Sequence, residues 1–171
     1  MSSVRNIIAV AKAISADIAV DLGPPEEGLT ANSQHVIMMS LVKGNRSYIT
    51  RIANQINGSY DNGWYDACAV MIRRLIETLI IETFEHHKIA DKIKSPSGDF
   101  LYLRDLVSKT LSESTWNLSR NCKAALPKLK DVGDKSAHNR FFVAQRGDIQ
   151  PLITEIRTVV QELLFHSGLK Q

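Results

Sequence analysis

Hydrophobic residues recur at intervals of three and four positions along almost the whole chain, which is the spacing of one face of an α-helix. Clusters of glycine, proline, serine and asparagine interrupt this pattern and predict the turns between helices. The sequence contains no run in which apolar and polar residues alternate, as they do in half-buried β-strands. We therefore predict an all-α, up-and-down helical bundle.

The turn-forming clusters also set the predicted helix boundaries. Ser2 or Ser3 caps a first helix with apolar residues from Ile7 to Ile18, and the loop Gly23–Gly28 ends it. The further predicted helices cover residues 33–42, 47–56, 64–87, 99–111, 119–132, 135–143 and 148–166. We expect residues 1–46 to form a helical extension and residues 47–171 to form the bundle, within one continuous domain.

The predicted helix over residues 64–87 has apolar side chains on every face, which is typical of a helix at the centre of a bundle. Arg73, Arg74 and Glu77 lie inside this apolar run, and charged groups in such a place need partners. Glu77 is four positions from Arg73 and three from Arg74, so a salt bridge within the helix satisfies the charges. We favour this local pairing; the alternative is that an arginine reaches the segment around His138.

The segment Val132–Arg140 combines a glycine, a carboxylate, several cations and a lone histidine. Gly133 is predicted to end the preceding helix, because glycine is a weak helix former. The four-residue spacing of Asp134 and His138 predicts a hydrogen bond that orients the imidazole. In a purely structural interpretation this pair closes the turn after the glycine, and the apolar side chains of Phe141–Phe142 anchor the segment to the bundle.

Positive charge is concentrated around this segment. The net charge of the chain is only +3, yet residues 118–146 contain seven lysines and arginines against two aspartates. Such a basic region attracts phosphate groups. We therefore regard Lys128, Lys130, Lys135 and Arg140 as candidate binding residues, with a solvated helix face as the alternative interpretation.

Composition excludes several other classes of protein. Cys68 and Cys122 both lie in apolar helical patterns, which favours reduced, buried thiols over a disulfide framework. No spacing of cysteine and histidine typical of a zinc site occurs, and we expect neither a metal nor a cofactor. No apolar run is long enough to span a membrane, and the N-terminal residues lack a clean signal-peptide core. We expect a cytoplasmic protein without a membrane partner.

Three parts of the chain together resemble a family of uncharacterised prokaryotic HEPN-like domains. Residues 73–77 read Arg-Arg-Leu-Ile-Glu, close to the Arg-Arg-Leu-Leu-Glu core of that family's long helix. Residues 133–138 read Gly-Asp-Lys-Ser-Ala-His, close to its Gly-Asn-x-x-Ala-His segment, with Asp134 where asparagine is usual. The amphipathic closing helix is the third part. The resemblance implies a helical HEPN bundle that forms a homodimer with the polar motifs of its two subunits facing each other.

Active members of that family are metal-independent ribonucleases in which an arginine precedes the histidine by a short spacing. In this chain the positions at that spacing before His138 are residues 131–133, and none of them is a lysine or an arginine. We therefore expect a non-catalytic or degenerate module that binds RNA or a nucleotide or mediates protein association. The resemblance places such a module in prokaryotic defence or toxin–antitoxin functions, with a protein partner such as an antitoxin.

Two alternatives stay open. One is a working metal-independent endoribonuclease, in which His138 is the general acid/base beside Asp134. In that case Lys135, Arg140 or an arginine of the central helix holds the phosphate. The other alternative is a purely structural dimerisation domain.

Overall fold

The computed structural model describes residue 4 and residues 6–14 and 31–169. The chain divides into two compact units, residues 1–30 and residues 31–171, and each is described by itself. In the smaller unit residues 6–14 are helical (α1), in agreement with the predicted first helix. The predicted cap at Ser2 or Ser3, Ile18 and the loop Gly23–Gly28 lie outside the described residues.

The described part of the larger unit is helical and contains no β-strand, so the all-α prediction is confirmed. Among the described residues, one isolated β-bridge joins Lys94 and Phe100. The helices are α2 (Met39–Val42), α3 (Ser47–Asp61), α4 (Tyr65–His86), α5 (Leu103–Ser112), α6 (Arg120–His138), α7 (Arg146–Ile149) and α8 (Ile153–His166). Among the described helices, none is both long and apolar enough to cross a membrane.

Helix α4 lies at the centre of the bundle, as its all-round apolar pattern predicts. It packs against α3, α5, α6 and α8, and its residues Leu75, Ile76, Leu79 and Ile80 have no exposed surface. A helix with neighbours on several sides has no face left for water, so apolar residues are favoured around its whole circumference. This arrangement makes α4 the element against which the others are positioned.

Two predicted boundaries near the start of this unit are wrong. The helix predicted over residues 33–42 is reduced to α2, and α3 does not end at Asn57–Gly58 but continues to Asp61. The reason is the buried side chain of Asn57, whose Oδ1 accepts hydrogen bonds from the backbone N–H groups of Val36 and Ile37. These bonds hold the segment before α2 in a non-helical path against α3, so residues 31–46 belong to the larger unit.

The prediction that Gly133 ends a helix is also wrong, because α6 runs without interruption from Arg120 to His138. Gly133 is buried where α6 crosses α4. A β-carbon added there would lie 2.6 Å from Cβ of Arg73 and 3.2 Å from the carbonyl oxygen of Ala69. The glycine therefore permits the close approach of two helices. The separate helix predicted over residues 135–143 does not form, and the chain leaves helical structure after residue 138.

Candidate functional site

The close crossing of α4 and α6 lies beside a surface pocket of about 330 Å³. Three helical regions supply its lining: α4, the start of α5, and the C-terminal end of α6. We call it the Arg73 pocket, and its lining residues are Arg73, Tyr102, Arg104, Asp105, Asp134 and His138. Its volume is at the lower end of the range for small-molecule sites, which begins at about 300 Å³.

Arg73 is fixed in this pocket by two carboxylates. Its Nε donates a hydrogen bond to Oδ1 of Asp134 at 2.7 Å, and its Nη1 lies 3.5 Å from Oε2 of Glu77. The predicted local pair with Glu77 forms, but the shorter contact is the alternative one, to Asp134 in the segment around His138. Gly133 is the cause, because without a side chain there Asp134 comes within reach of α4.

Asp134 does not orient His138, contrary to the prediction from their spacing. The structure forms no hydrogen bond between these two side chains, because Asp134 instead accepts from Arg73 and from Nζ of Lys130, at 2.9 Å. Partial burial opposes ionisation of Asp134, but the bonds from Lys130 and Arg73 outweigh burial and lower the pKa of this carboxyl group. Asp134 is thus a charged partner of two cations.

His138 is the last residue of α6 and its side chain is exposed in the Arg73 pocket. No hydrogen bond or ion pair joins its ring to another residue in the described part of the chain. The predicted anchor is also wrong in part, because Phe141 is 81% exposed and carries the Arg140 guanidinium 4.4 Å from its ring centre. Phe142 is half-buried. The imidazole is therefore available to a ligand.

Tyr102, Arg104 and Asp105 are pocket residues that the sequence analysis missed. Tyr102 is the N-cap residue of α5 and is 84% exposed, and the Arg104 side chain is 80% exposed. Nε of Arg104 lies 3.4 Å from Oδ1 of the neighbouring Asp105. The only signal in the sequence is an aromatic residue and an arginine beside the apolar stripe of a predicted helix, and such residues are common on protein surfaces.

The predicted basic residues are used in different ways. Nζ of Lys128 forms an ion pair with Glu155 at 2.8 Å. Lys130, whose side chain is only 16% exposed, lies between Asp131 and Asp134, and their hydrogen bonds raise its pKa. Lys135, Arg140 and Arg74 are exposed, and none of them lines the Arg73 pocket. Two of the four candidate binding residues are thus engaged by carboxylates.

A second polar cluster joins Ser33, His35 and Asp61, residue types that also occur in hydrolase triads. Here the Ser33 hydroxyl donates to Asp61, and Nδ1 of His35 lies 3.2 Å from the same carboxylate oxygen. The backbone N–H of Ser33 donates to the other oxygen at 3.0 Å. In a triad the imidazole stands between the serine and the carboxylate. Here Nδ1 of His35 lies 2.8 Å from the Ser33 hydroxyl and also 3.2 Å from Asp61, so a single ring nitrogen faces both groups and the ring does not bridge them. The cluster fastens the segment before α2 to the end of α3.

The cysteines are free and buried, as predicted. Burial raises the pKa of Cys68 to about 12, and burial together with the nearby Glu162 carboxylate raises the pKa of Cys122 to about 12. Thiols in this state are poor nucleophiles and poor metal ligands. Within residues 4, 6–14 and 31–169, no three side chains of histidine, cysteine, aspartate or glutamate are grouped to hold a metal ion.

Comparisons with protein-family models, with curated proteins and with solved structures give no match to this chain. The HEPN-like resemblance therefore stays a prediction that rests on the residues quoted for it.

Proposed function

We propose that the Arg73 pocket binds a phosphate group of RNA or of a nucleotide. One observation carries the proposal: Arg73, Arg104 and the unpaired His138 line the same pocket beside Asp105 and Asp134, although these three residues come from three different helices. A guanidinium donates parallel hydrogen bonds to two phosphate oxygens, and an imidazole donates through one ring N–H when neutral and through both when protonated. The three side chains form a donor set suited to an oxyanion.

The ion pairs of Arg73 support this proposal by limiting the motion of its side chain. Asp134 and Glu77 engage Nε and Nη1, so the guanidinium is held before a ligand arrives. A donor that is already oriented loses less conformational entropy on binding. Lys130 offsets the charge of Asp134 and so reduces its repulsion of a phosphate.

The experiment measures binding of a short fluorescein-labelled RNA by anisotropy at several salt concentrations. Arg104→Ala and His138→Ala should each weaken binding at least about tenfold, since a hydrogen bond to a charged group contributes roughly 1.5–3 kcal/mol. Arg104→Ala should also reduce the salt slope by about 1, as expected for one lost phosphate contact. Both side chains are exposed, so the variants should fold normally.

Arg120→Ala is the matched control, because Arg120 is an exposed arginine at the opposite end of α6. This control should bind RNA like the unsubstituted protein. If Arg120→Ala weakens binding as much as Arg104→Ala does, RNA is attracted by overall charge and the pocket is not its site. RNA affinity too weak to measure at low salt also contradicts the proposal.

A second candidate function, metal-independent RNA cleavage, is favoured by the placement of Arg73. The sequence lacks a cation at the short spacing before His138, but α4 supplies Arg73 to the same pocket. In such a reaction the imidazole takes the proton of the ribose 2′-hydroxyl as that oxygen attacks phosphorus. The bond from phosphorus to the 5′-oxygen breaks, and this oxygen takes the proton held by the imidazolium, directly or through water. A guanidinium stabilises the charge on the phosphate oxygens.

Cleavage and binding are separated by incubating labelled RNA with the protein in EDTA and resolving the products. A ribonuclease should give products with 2′,3′-cyclic phosphate ends, and His138→Ala should abolish them. Binding without products supports a non-catalytic module. Cleavage that persists in His138→Ala would assign the activity to a contaminating nuclease.

A further inference from the structure

The phenol ring of Tyr102 lines the pocket and is 84% exposed. Its ring makes no contact with another aromatic ring or with a cation in the described part of the chain, whereas nearby Phe100 has the ammonium group of Lys94 5.5 Å from its ring centre. Removing an aromatic ring from water is favourable. The fold leaves the Tyr102 ring exposed, on the wall of a pocket that is also lined by two arginines, two aspartates and a histidine.

The position of this ring within the site indicates what covers it. Arg104 follows two residues later on the first turn of α5, and Arg73 and His138 lie on the other walls of the pocket. A nucleotide has a flat base at one end and a phosphate at the other. Because Tyr102 lines the same pocket as Arg73 and Arg104, a nucleotide whose phosphate binds the arginines would have its base near the phenol ring.

We propose that Tyr102 stacks on an unpaired base, so that the ligand of the Arg73 pocket is a nucleotide within single-stranded RNA. This inference rests on the proposed phosphate-binding function, and it specifies in addition that the RNA is single-stranded. Bases in a duplex are covered on both faces by their neighbours, so a side chain stacks only on a base that is unpaired or splayed out. Phosphate contacts alone do not distinguish the two forms.

The test compares a labelled, unstructured RNA strand with the same strand annealed to its complement. The protein should bind the single strand at least about tenfold more tightly than the duplex, and Tyr102→Ala should remove most of this difference. Loss of one stacked base should lower the single-strand affinity of Tyr102→Ala roughly 5- to 150-fold. Tyr102→Phe should retain the affinity, because it retains the ring.

Phe165→Ala is the matched control, since Phe165 is a 66% exposed aromatic residue of α8 outside the pocket. This variant should bind like the unsubstituted protein. Equal affinity for strand and duplex, or unchanged affinity in Tyr102→Ala while Arg104→Ala binds weakly, overturns the stacking inference and leaves the phosphate site standing. Adenosine monophosphate should displace the labelled strand only at higher concentrations than unlabelled strand does. Displacement by both at equal concentrations would overturn the assignment to an RNA strand.

Failure of the proposed function gives a different result. In that case neither form of RNA binds measurably, and neither Arg104→Ala nor Tyr102→Ala changes the signal. Because Tyr102 and Arg104 are both exposed, far-ultraviolet circular dichroism of the variants should match that of the unsubstituted protein, and loss of binding is then a property of the site.

Discussion

At the scale of single residues, Gly133 has the largest effect on the site. It is buried in the middle of a continuous helix, against Arg73 and Ala69 of α4. Glycine in a helix interior is unfavourable by roughly 0.5–1 kcal/mol relative to alanine. Here the absence of a side chain lets the two helices approach until Asp134 meets Arg73.

Replacing Gly133 with alanine should therefore destabilise the protein, although alanine is the better helix former. The new β-carbon would lie 2.6 Å from Cβ of Arg73, so α4 and α6 must separate. Overpacking of this kind costs about 1–3 kcal/mol in the free energy of unfolding, measured by urea denaturation. Gly147→Ala is the control, because nothing lies within 4 Å of its added β-carbon. Gly133→Ala with stability equal to or above that of the control would contradict the close crossing.

Asp134 predicts a pH dependence of stability. Its pKa is lowered in the folded protein, so its ionised form stabilises the fold above the unfolded pKa of about 3.9. This contribution is lost as the pH falls through the lower folded pKa. Asp134→Asn should reduce the free energy of unfolding by about 1 kcal/mol at neutral pH, as expected for partly exposed ion pairs.

The stability difference between the unsubstituted protein and Asp134→Asn should become smaller as the pH is lowered below about 4 in urea titrations. Asp131→Asn should have a smaller effect at neutral pH. Asp131 is 61% exposed and contacts Lys130 but not Arg73, whereas Asp134 binds both cations. If Asp134→Asn lowers the free energy of unfolding by the same amount at neutral and acidic pH, the ion pairs are not the cause.

At the scale of elements, Asn57 determines the course of the chain before α2. Its side chain is fully buried, accepts from Val36 N at 3.1 Å and from Ile37 N at 2.9 Å, and donates to the Ile37 carbonyl at 2.8 Å. The segment thus obtains from one side chain the backbone hydrogen bonds that a helix would otherwise supply. Val36 and Ile37 are fully buried as a result.

Asn57→Ala should destabilise the protein by about 2–4 kcal/mol, because buried backbone groups lose their partners. Hydrogen exchange should locate the effect in the segment before α2. In Asn57→Ala the amides of Val36 and Ile37 should exchange faster than those in the centre of α4. Asn62→Ala is the control, since Asn62 is exposed and donates one bond to the Gly58 carbonyl. Its effect should stay within about 0.5 kcal/mol. Unchanged exchange at Val36 and Ile37 in Asn57→Ala would contradict this role.

At the scale of the whole molecule, the bundle excludes water from a core that contains both cysteines. Cys68 on α4 and Cys122 on α6 have no exposed surface, and the pKa of each thiol is raised to about 12. Reaction with an alkylating reagent requires an accessible thiolate. Both thiols therefore report on opening of the core.

In the native protein at about pH 8, iodoacetamide should label neither cysteine rapidly, whereas in concentrated urea it should label both at the rate of an ordinary thiol of pKa about 8.5. Peptide mass spectrometry identifies the labelled residue. Equal rates in both cysteines across intermediate urea concentrations indicate cooperative unfolding of the bundle. Rapid labelling of either cysteine without urea would contradict a closed core around α4 and α6.

The local properties of this chain follow from its sequence alone. Helical periodicity identified the all-α class and the extent of α4, because the spacing of apolar residues along one helix depends only on that helix. The all-round apolar character of α4 also predicted its central burial, which the structure confirms. The apolar settings of the two cysteines predicted reduced, buried thiols in the same way.

Contacts between residues of different helices depend on how the helices pack. Arg73 and Asp134 are 61 positions apart, and the close crossing of their helices at Gly133 brings them together. The Arg73 pocket likewise combines α4, α5 and α6, so the periodicity of any one helix gives no information about it. Local preference also failed at Gly133 and Asn57, where a helix break was expected. Contacts between helices outweighed propensities that differ by only about 1 kcal/mol per residue.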